Sequence, residues 1–140
     1  MPTRAGSGER VPLLLDSTVV IDLLRDRPVA SQRVRMLSQL GKAPYISAVT
    51  AEEVQRGLRP NELAKAARVL TSFRIAPLGI IHGALAGTWR REFAARGVTL
   101  QQADCLIAAA AYGVGARIAT GNPKHFPMEE LQVEHWPVGE

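Results

Sequence analysis

Three apolar runs in this chain each give out onto oxygen-bearing side chains: Leu13-Leu14-Leu15 onto Asp16, Ile46 onto Ser47 and on to Glu53, and Ile118-Ala119 onto Thr120 and Asn122. A strand that is apolar at every position, without alternation, belongs in a parallel sheet buried on both faces. In such sheets ligands bind in the crevice beyond the carboxyl ends of the strands. Polar groups that follow separate strands are therefore drawn toward one point. A fourth carboxylate, Asp104, opens the apolar helical run Leu106 to Ala111. Carboxylates that converge either repel one another or share a hard divalent cation.

The order of the remaining elements agrees with this picture. The strand is expected to start at Val11, after a polar flexible tail over residues 1–10 that is set apart from a single domain over 11–140. Ser17 or Thr18 can cap a helix with Val19, Val20, Leu23 and Leu24 on its apolar face, ended by Pro28, and a second helix runs from Val29 to Leu40 before Gly41. Pro44-Tyr45-Ile46 reads as a second strand, and Ser47 or Thr50 as the cap of a helix reaching Gly57. Leu63, Ala67, Leu70 and Phe73 recur at helical spacing, and Arg74 to Pro77 reads as a third strand. A long helix carries Ile81, Leu85, Trp89 and Phe93 on one stripe and closes at Gly97. A small-residue helix over 103–112, a strand over 117–119 and an edge strand over 132–136 complete the chain. The expected architecture is an α/β three-layer sandwich around a parallel sheet of four to five short strands.

Bulk properties narrow the class of function. The chain has 140 residues, enough for a sizeable core in one unit. Lys and Arg number 17 against 13 Asp and Glu, a balance that suits a polyanionic partner, nucleic acid or an acidic protein, as well as plain solubility. Cys105 is the single cysteine, so neither an intramolecular disulfide nor a zinc site of paired cysteines can form, and a reducing cytoplasm is the expected location. No run is long and apolar enough to read as a signal peptide or a membrane span.

Each carboxylate has a plain structural alternative. Asp16, just after a strand, could cap the next helix as readily as bind a metal. Asp104 lies in a first helical turn, where the macrodipole favours a negative charge by about 0.3–1 kcal/mol. Of the adjacent pair Glu52 and Glu53, only one can face a cleft. His82, His125 and His135 show no ligand spacing, and His125 reads as a solvated loop residue. Asp22 and Asp26, interleaved with Arg25 and Arg27, read as a solvated face, and Cys105 as a small buried hydrophobe. Arg90, Arg91 and Arg96, with Lys124, could form a basic rim that follows a phosphate backbone.

Taken together, Leu14 to Thr18, Ile46 to Gly57, Ala103 to Ala108 and Thr120 to Phe126 strongly resemble the PIN-domain ribonucleases, and among them the VapC-like toxins of bacterial toxin–antitoxin pairs. The four motifs fall in the family's order within a chain of the family's size. The resemblance implies an acidic triad of Asp16, Glu53 and Asp104, with Thr18 and Thr120 as supporting hydroxyls. Asn122 stands at a fourth position that is Asp in many PIN domains, which leaves one or two metal ions open. It implies a Mg²⁺- or Mn²⁺-dependent endoribonuclease that cleaves tRNA, rRNA or other cellular RNA in loops, leaving a 5′-phosphate and a 3′-hydroxyl. Asp16 and Asp104 are expected to ligate directly, Glu53 to handle a water proton and Asn122 to hold a water. A homodimer and a cognate antitoxin that wraps the toxin are the implied partners, and Phe126 is read as packing behind the last loop.

Two rivals from phosphoryl-transfer chemistry fit less well. A haloacid-dehalogenase-like phosphatase wants a second Asp where this chain has Thr18, and a phosphoacceptor receiver wants an Asp after a central strand where Ile75-Ala76-Pro77 has none. A catalytically silent PIN-like binding module, in which Asn122 marks decay of the site, is the alternative from another class.

Overall fold

The computed structural model describes residues 11–140, so the expected tail over 1–10 lies outside the described residues. Five strands form one parallel sheet: β1 (Leu13–Leu15), β2 (Tyr45–Ile46), β3 (Arg74–Ile75), β4 (Arg117–Thr120) and β5 (Val133–His135). Their order is β3-β2-β1-β4-β5, with Leu14 opposite Ile118 on one side and Tyr45 on the other. The chain builds outward from β1 to β3, then returns to lay β4 and β5 on β1's other side. The switch point is therefore between β1 and β4, where the crevice of such a sheet opens.

Successive β1 side chains point to opposite faces. Leu14 joins Ile118 in a core with the long helix α5 (Ile80–Ala95) and the alanine-rich α6 (Gln102–Gly113). Leu13 and Leu15 join Ala119 and Trp136 in a second core with α1 (Ser17–Leu24), α2 (Pro28–Gln39), α3 (Ala48–Arg56) and α4 (Leu63–Leu70). These are the three expected layers. Alanine is the strongest helix former, and Ala108 to Ala111, all fully buried, let the α6 backbone lie close to the sheet. Trp89 of α5 fills the volume that small residues leave and meets Tyr112 of α6 edge-on at 6.4 Å.

Local readings differ from the structure at several points. Strand β1 begins at Leu13, because Pro12 has no N–H to offer the ladder. Helix α1 ends at Leu24, and Asp26 turns the chain with φ +56°; Pro28 starts α2 at its first position instead of ending α1. Ser47, not Thr50, caps α3. In α4, which follows a 3₁₀ turn (Pro60–Glu62), it is Ala66 that is buried, while Leu63 and Ala67 are exposed. Strand β3 has only two residues, both exposed at the sheet edge, and Ile81 stands 81% exposed where the stripe on α5 placed it in the core. Asp22 is not on a solvated face: it is buried and accepts the Gly139 N–H at 2.8 Å.

Candidate active site

Asp16 is the last residue before α1, where the strand's pairing ends but its backbone is still tied to β4 through Asp16 N–H donating to the Ala119 carbonyl. Both readings of its side chain hold at once. Oδ1 caps α1, accepting the Val19 N–H at 3.3 Å, and also accepts the Thr18 hydroxyl at 2.6 Å. Oδ2 accepts the hydroxyl of Thr120, from the end of β4. The carboxylate is 5% exposed, and burial pushes its pKa up while the hydroxyls of Thr120 and Thr18 and the Val19 N–H hold it down.

Thr120 and Thr18 link this carboxylate to the loop after β4. Thr120 Oγ1 accepts the Asn122 N–H at 2.9 Å, and Thr18 Oγ1 accepts the Gly121 N–H at 2.9 Å. Each hydroxyl thus donates to Asp16 and accepts from the loop, so one carboxylate organises both strand ends.

Glu53 approaches from α3 and accepts the hydroxyl of Ser17, the first residue of α1. Its neighbour Glu52 turns away and pairs with Arg56 at 3.0 Å on the exposed side of the helix. Asp104, in the first turn of α6, is half-buried. Its pKa is raised by desolvation first, is held down by His125 and is raised further by the charges of Glu53 and Asp16. His125 Nδ1 lies 3.4 Å from Asp104 Oδ2.

The cleft that results, about 360 Å³, is lined by Asp16, Glu53, Asp104 and Asn122, by Ser17 and Thr18, and by Arg56 and His125 at its margin. Sequence reasoning passed over Ser17 and Arg56 and set His125 aside as a solvated loop residue. His125 is solvent-exposed, yet its ring also stands beside Asp104. Of the expected basic rim, Arg90, Arg91 and Lys124 are exposed and none lines the cleft; Arg90 instead donates to the Leu100 carbonyl at 3.2 Å, and Arg96 lies over the Phe93 ring. Phe126 and Cys105 are buried in the core as expected, and burial raises the Cys105 thiol to about 11.

Among the described residues no three His, Cys, Asp or Glu side chains stand close enough to enclose a metal ion between them. The donor set is nonetheless all oxygen, and the like charges that Asp104 feels from Glu53 and Asp16 are what a cation would offset. Mg²⁺ takes one or two direct carboxylates and keeps most of its water. At about 30 Å³ per water, six waters need roughly 180 Å³. The cleft is large enough for that shell together with a phosphate, so the residues fit a hydrated hard cation.

The PIN-domain family model matches residues 13–128, spanning β1 through the loop after β4. This chain belongs to the PIN-domain family. Its relatives include two proteins of Mycobacterium tuberculosis: ribonuclease VapC19, 33% identical over 119 residues that make up 82% of this chain and 92% of that protein, and ribonuclease VapC10, 34% identical over 84% of this chain and 88% of that one. Among solved structures, VapBC2 from Rickettsia felis, bound to a DNA fragment from its promoter, superposes with a TM-score of 0.80 at 20% identity, covering 90% of this chain and 99% of that one. FitAcB from Neisseria gonorrhoeae superposes with a TM-score of 0.65 at 25% identity, covering 89% and 97%. This PIN-domain chain therefore has the expected α/β fold over nearly the whole length of its relatives. No helix among its described residues is long and apolar enough to cross a membrane.

Proposed function

We propose that this PIN-domain protein is an endoribonuclease, the toxin of a toxin–antitoxin pair, and that its acidic cleft works with Mg²⁺ or Mn²⁺. The ribonuclease names of its relatives and the toxin–antitoxin complexes among its structural neighbours support the activity and the antitoxin partner. The observation that carries the chemistry is the meeting of Asp16, Glu53 and Asp104, from three separate elements, around one cleft at the sheet's switch point.

Each residue has a role that follows from its contacts. Asp16, with both oxygens fixed by hydroxyls, and Asp104, at the foot of α6, are the carboxylates that would hold the ion, and Asn122 lines the same cleft. A bound divalent ion supplies Lewis-acid activation of water and stabilises charge on the phosphodiester. One oxygen of Glu53 is engaged by Ser17, which leaves the other to take a proton from the attacking water. Arg56, at the margin, reaches the phosphate backbone of the RNA, whose single-stranded loops can enter an open cleft where a duplex cannot.

The test is incubation of total cellular RNA with purified protein, with Mg²⁺, Mn²⁺ or EDTA, beside Asp16→Asn. Discrete fragments that need metal and vanish in Asp16→Asn are expected. RNA binding that persists in EDTA, with no cleavage under any condition by folded protein free of antitoxin, would replace this reading with the silent binding module.

A further inference from the structure

Gly121 lies between two residues of the site, Thr120 and Asn122, and its place in space is already taken. A Cβ there would fall well inside contact distance of Val138 Cγ2 and 3.2 Å from Thr18 Oγ1. Val138 belongs to a segment that leaves β5 and crosses the cleft's loop. The segment is fastened at both sides of that crossing. Before it, Trp136 is buried and donates its N–H to the Thr120 carbonyl at 2.8 Å. After it, Gly139, at φ +81°, donates to the buried Asp22 of α1 at 2.8 Å, and the Glu140 carbonyl accepts the Val29 N–H of α2 at 3.2 Å.

We propose that residues 136–140 are a strap that positions the site, with Val138 pressing the Gly121 loop onto Thr18. The line of force is short. Val138 covers Gly121; the Gly121 N–H donates to Thr18 Oγ1; the Thr18 hydroxyl donates to Asp16 Oδ1. Gly139 ties the strap to α1, the helix that Asp16 caps, so loop and helix are bound together from outside as well as through Thr18. Val138 is a positioning residue: it does not line the cleft, and it acts on Asp16 through Gly121 and Thr18, while Asp22 anchors the strap to α1. Val138 is 51% exposed, so trimming it opens no core cavity and its effect can be separated from folding. The consequence for catalysis rests on the ribonuclease reading; the mechanical claim does not.

The experiment is amide hydrogen exchange by NMR on the full chain, comparing wild type with Val138→Gly and Val138→Ile. Exchange at Gly121 about fivefold or more faster in Val138→Gly, restored in Val138→Ile, with the melting temperature unchanged, is the expected result. Mn²⁺ affinity should weaken in the same variant, and kcat for RNA cleavage should fall more than KM rises. Gly121→Ala should impair wild type by displacing Val138, and should cost less in the Val138→Gly background. Unchanged Gly121 exchange in Val138→Gly, or effects of the two substitutions that simply add, would overturn the strap. Wild-type protein that cleaves nothing would instead overturn the ribonuclease reading, and Gly121 exchange would still decide the strap.

Discussion

Thr120→Val keeps the shape of a fully buried side chain and removes only its hydroxyl, which donates to Asp16 Oδ2 and accepts from the Asn122 N–H. The lost bond to Asp16 is an ordinary hydrogen bond, about 1 kcal/mol, when Asp16 is protonated and a charge-assisted one, about 1.5–3 kcal/mol, when it is ionised, and the lost bond from the Asn122 N–H adds about 1 kcal/mol at either pH. The sign with pH follows. Burial already raises the folded pKa of Asp16 above 3.8, so the stability tied to this group is fully present below that value and declines as pH rises through the folded pKa. Removing the largest of the interactions that hold the pKa down raises it further and deepens the decline. The cost of Thr120→Val should therefore be about 2 kcal/mol near pH 3 and larger by about 0.5–2 kcal/mol at pH 7, read from urea midpoints of metal-free protein. Mn²⁺ binding, which needs the carboxylate, should move to higher pH, and Thr120→Ser should restore both. A cost independent of pH, or Mn²⁺ binding unmoved, would refute the claim that this hydroxyl holds Asp16 ionised.

Asp16→Ala should cost the metal-free protein about 0.5–2 kcal/mol at pH 7, because it removes the cap of α1 together with the acceptor of two hydroxyls, and differential scanning calorimetry against wild type checks it. Arg56→Ala should raise KM for RNA about tenfold, leave kcat within about twofold and lower the salt slope by about one, since the side chain is exposed at the cleft margin and placed for a phosphate; KM measured at two ionic strengths decides. Leu14→Ala should cost about 2–5 kcal/mol in urea unfolding, as Leu14 is fully buried in the central strand between two neighbours.

What was legible in the sequence was whatever an element end fixes by itself. Asp16 follows a strand and Asp104 opens a helix, so their approach to one sheet edge could be reasoned from chain order alone, whereas Glu53 lies inside α3. Ser17 and Arg56 were not legible, because their value depends on which way α3 faces α1. The choice of Glu53 over Glu52 came from family likeness, and in the structure Ser17 holds the first while Arg56 draws off the second. Asp22 was misread because its burial depends on residues 117 positions later in the chain. Ile81 was misread because helical spacing gives a stripe but cannot say where along a helix its cover ends.

The candidate site is built on a tightly bonded carboxylate. Asp16 is held by a ladder hydrogen bond, a helix cap and two hydroxyls, and it keeps a raised pKa in spite of them. Asp104 is raised as well, by burial and then by the two carboxylates it faces. Both groups are raised above their ordinary value, so ionising them in the metal-free cleft opposes folding. A divalent ion that binds only the folded, ionised form reverses that opposition and adds stability in proportion to the logarithm of its concentration over its dissociation constant. The melting temperature should then rise with Mn²⁺ at pH 7 by several degrees for each kcal/mol gained and hardly at all at pH 4, where carboxylate and ion compete with protons. A rise of equal size at both pH values would place the bound metal somewhere other than this cleft.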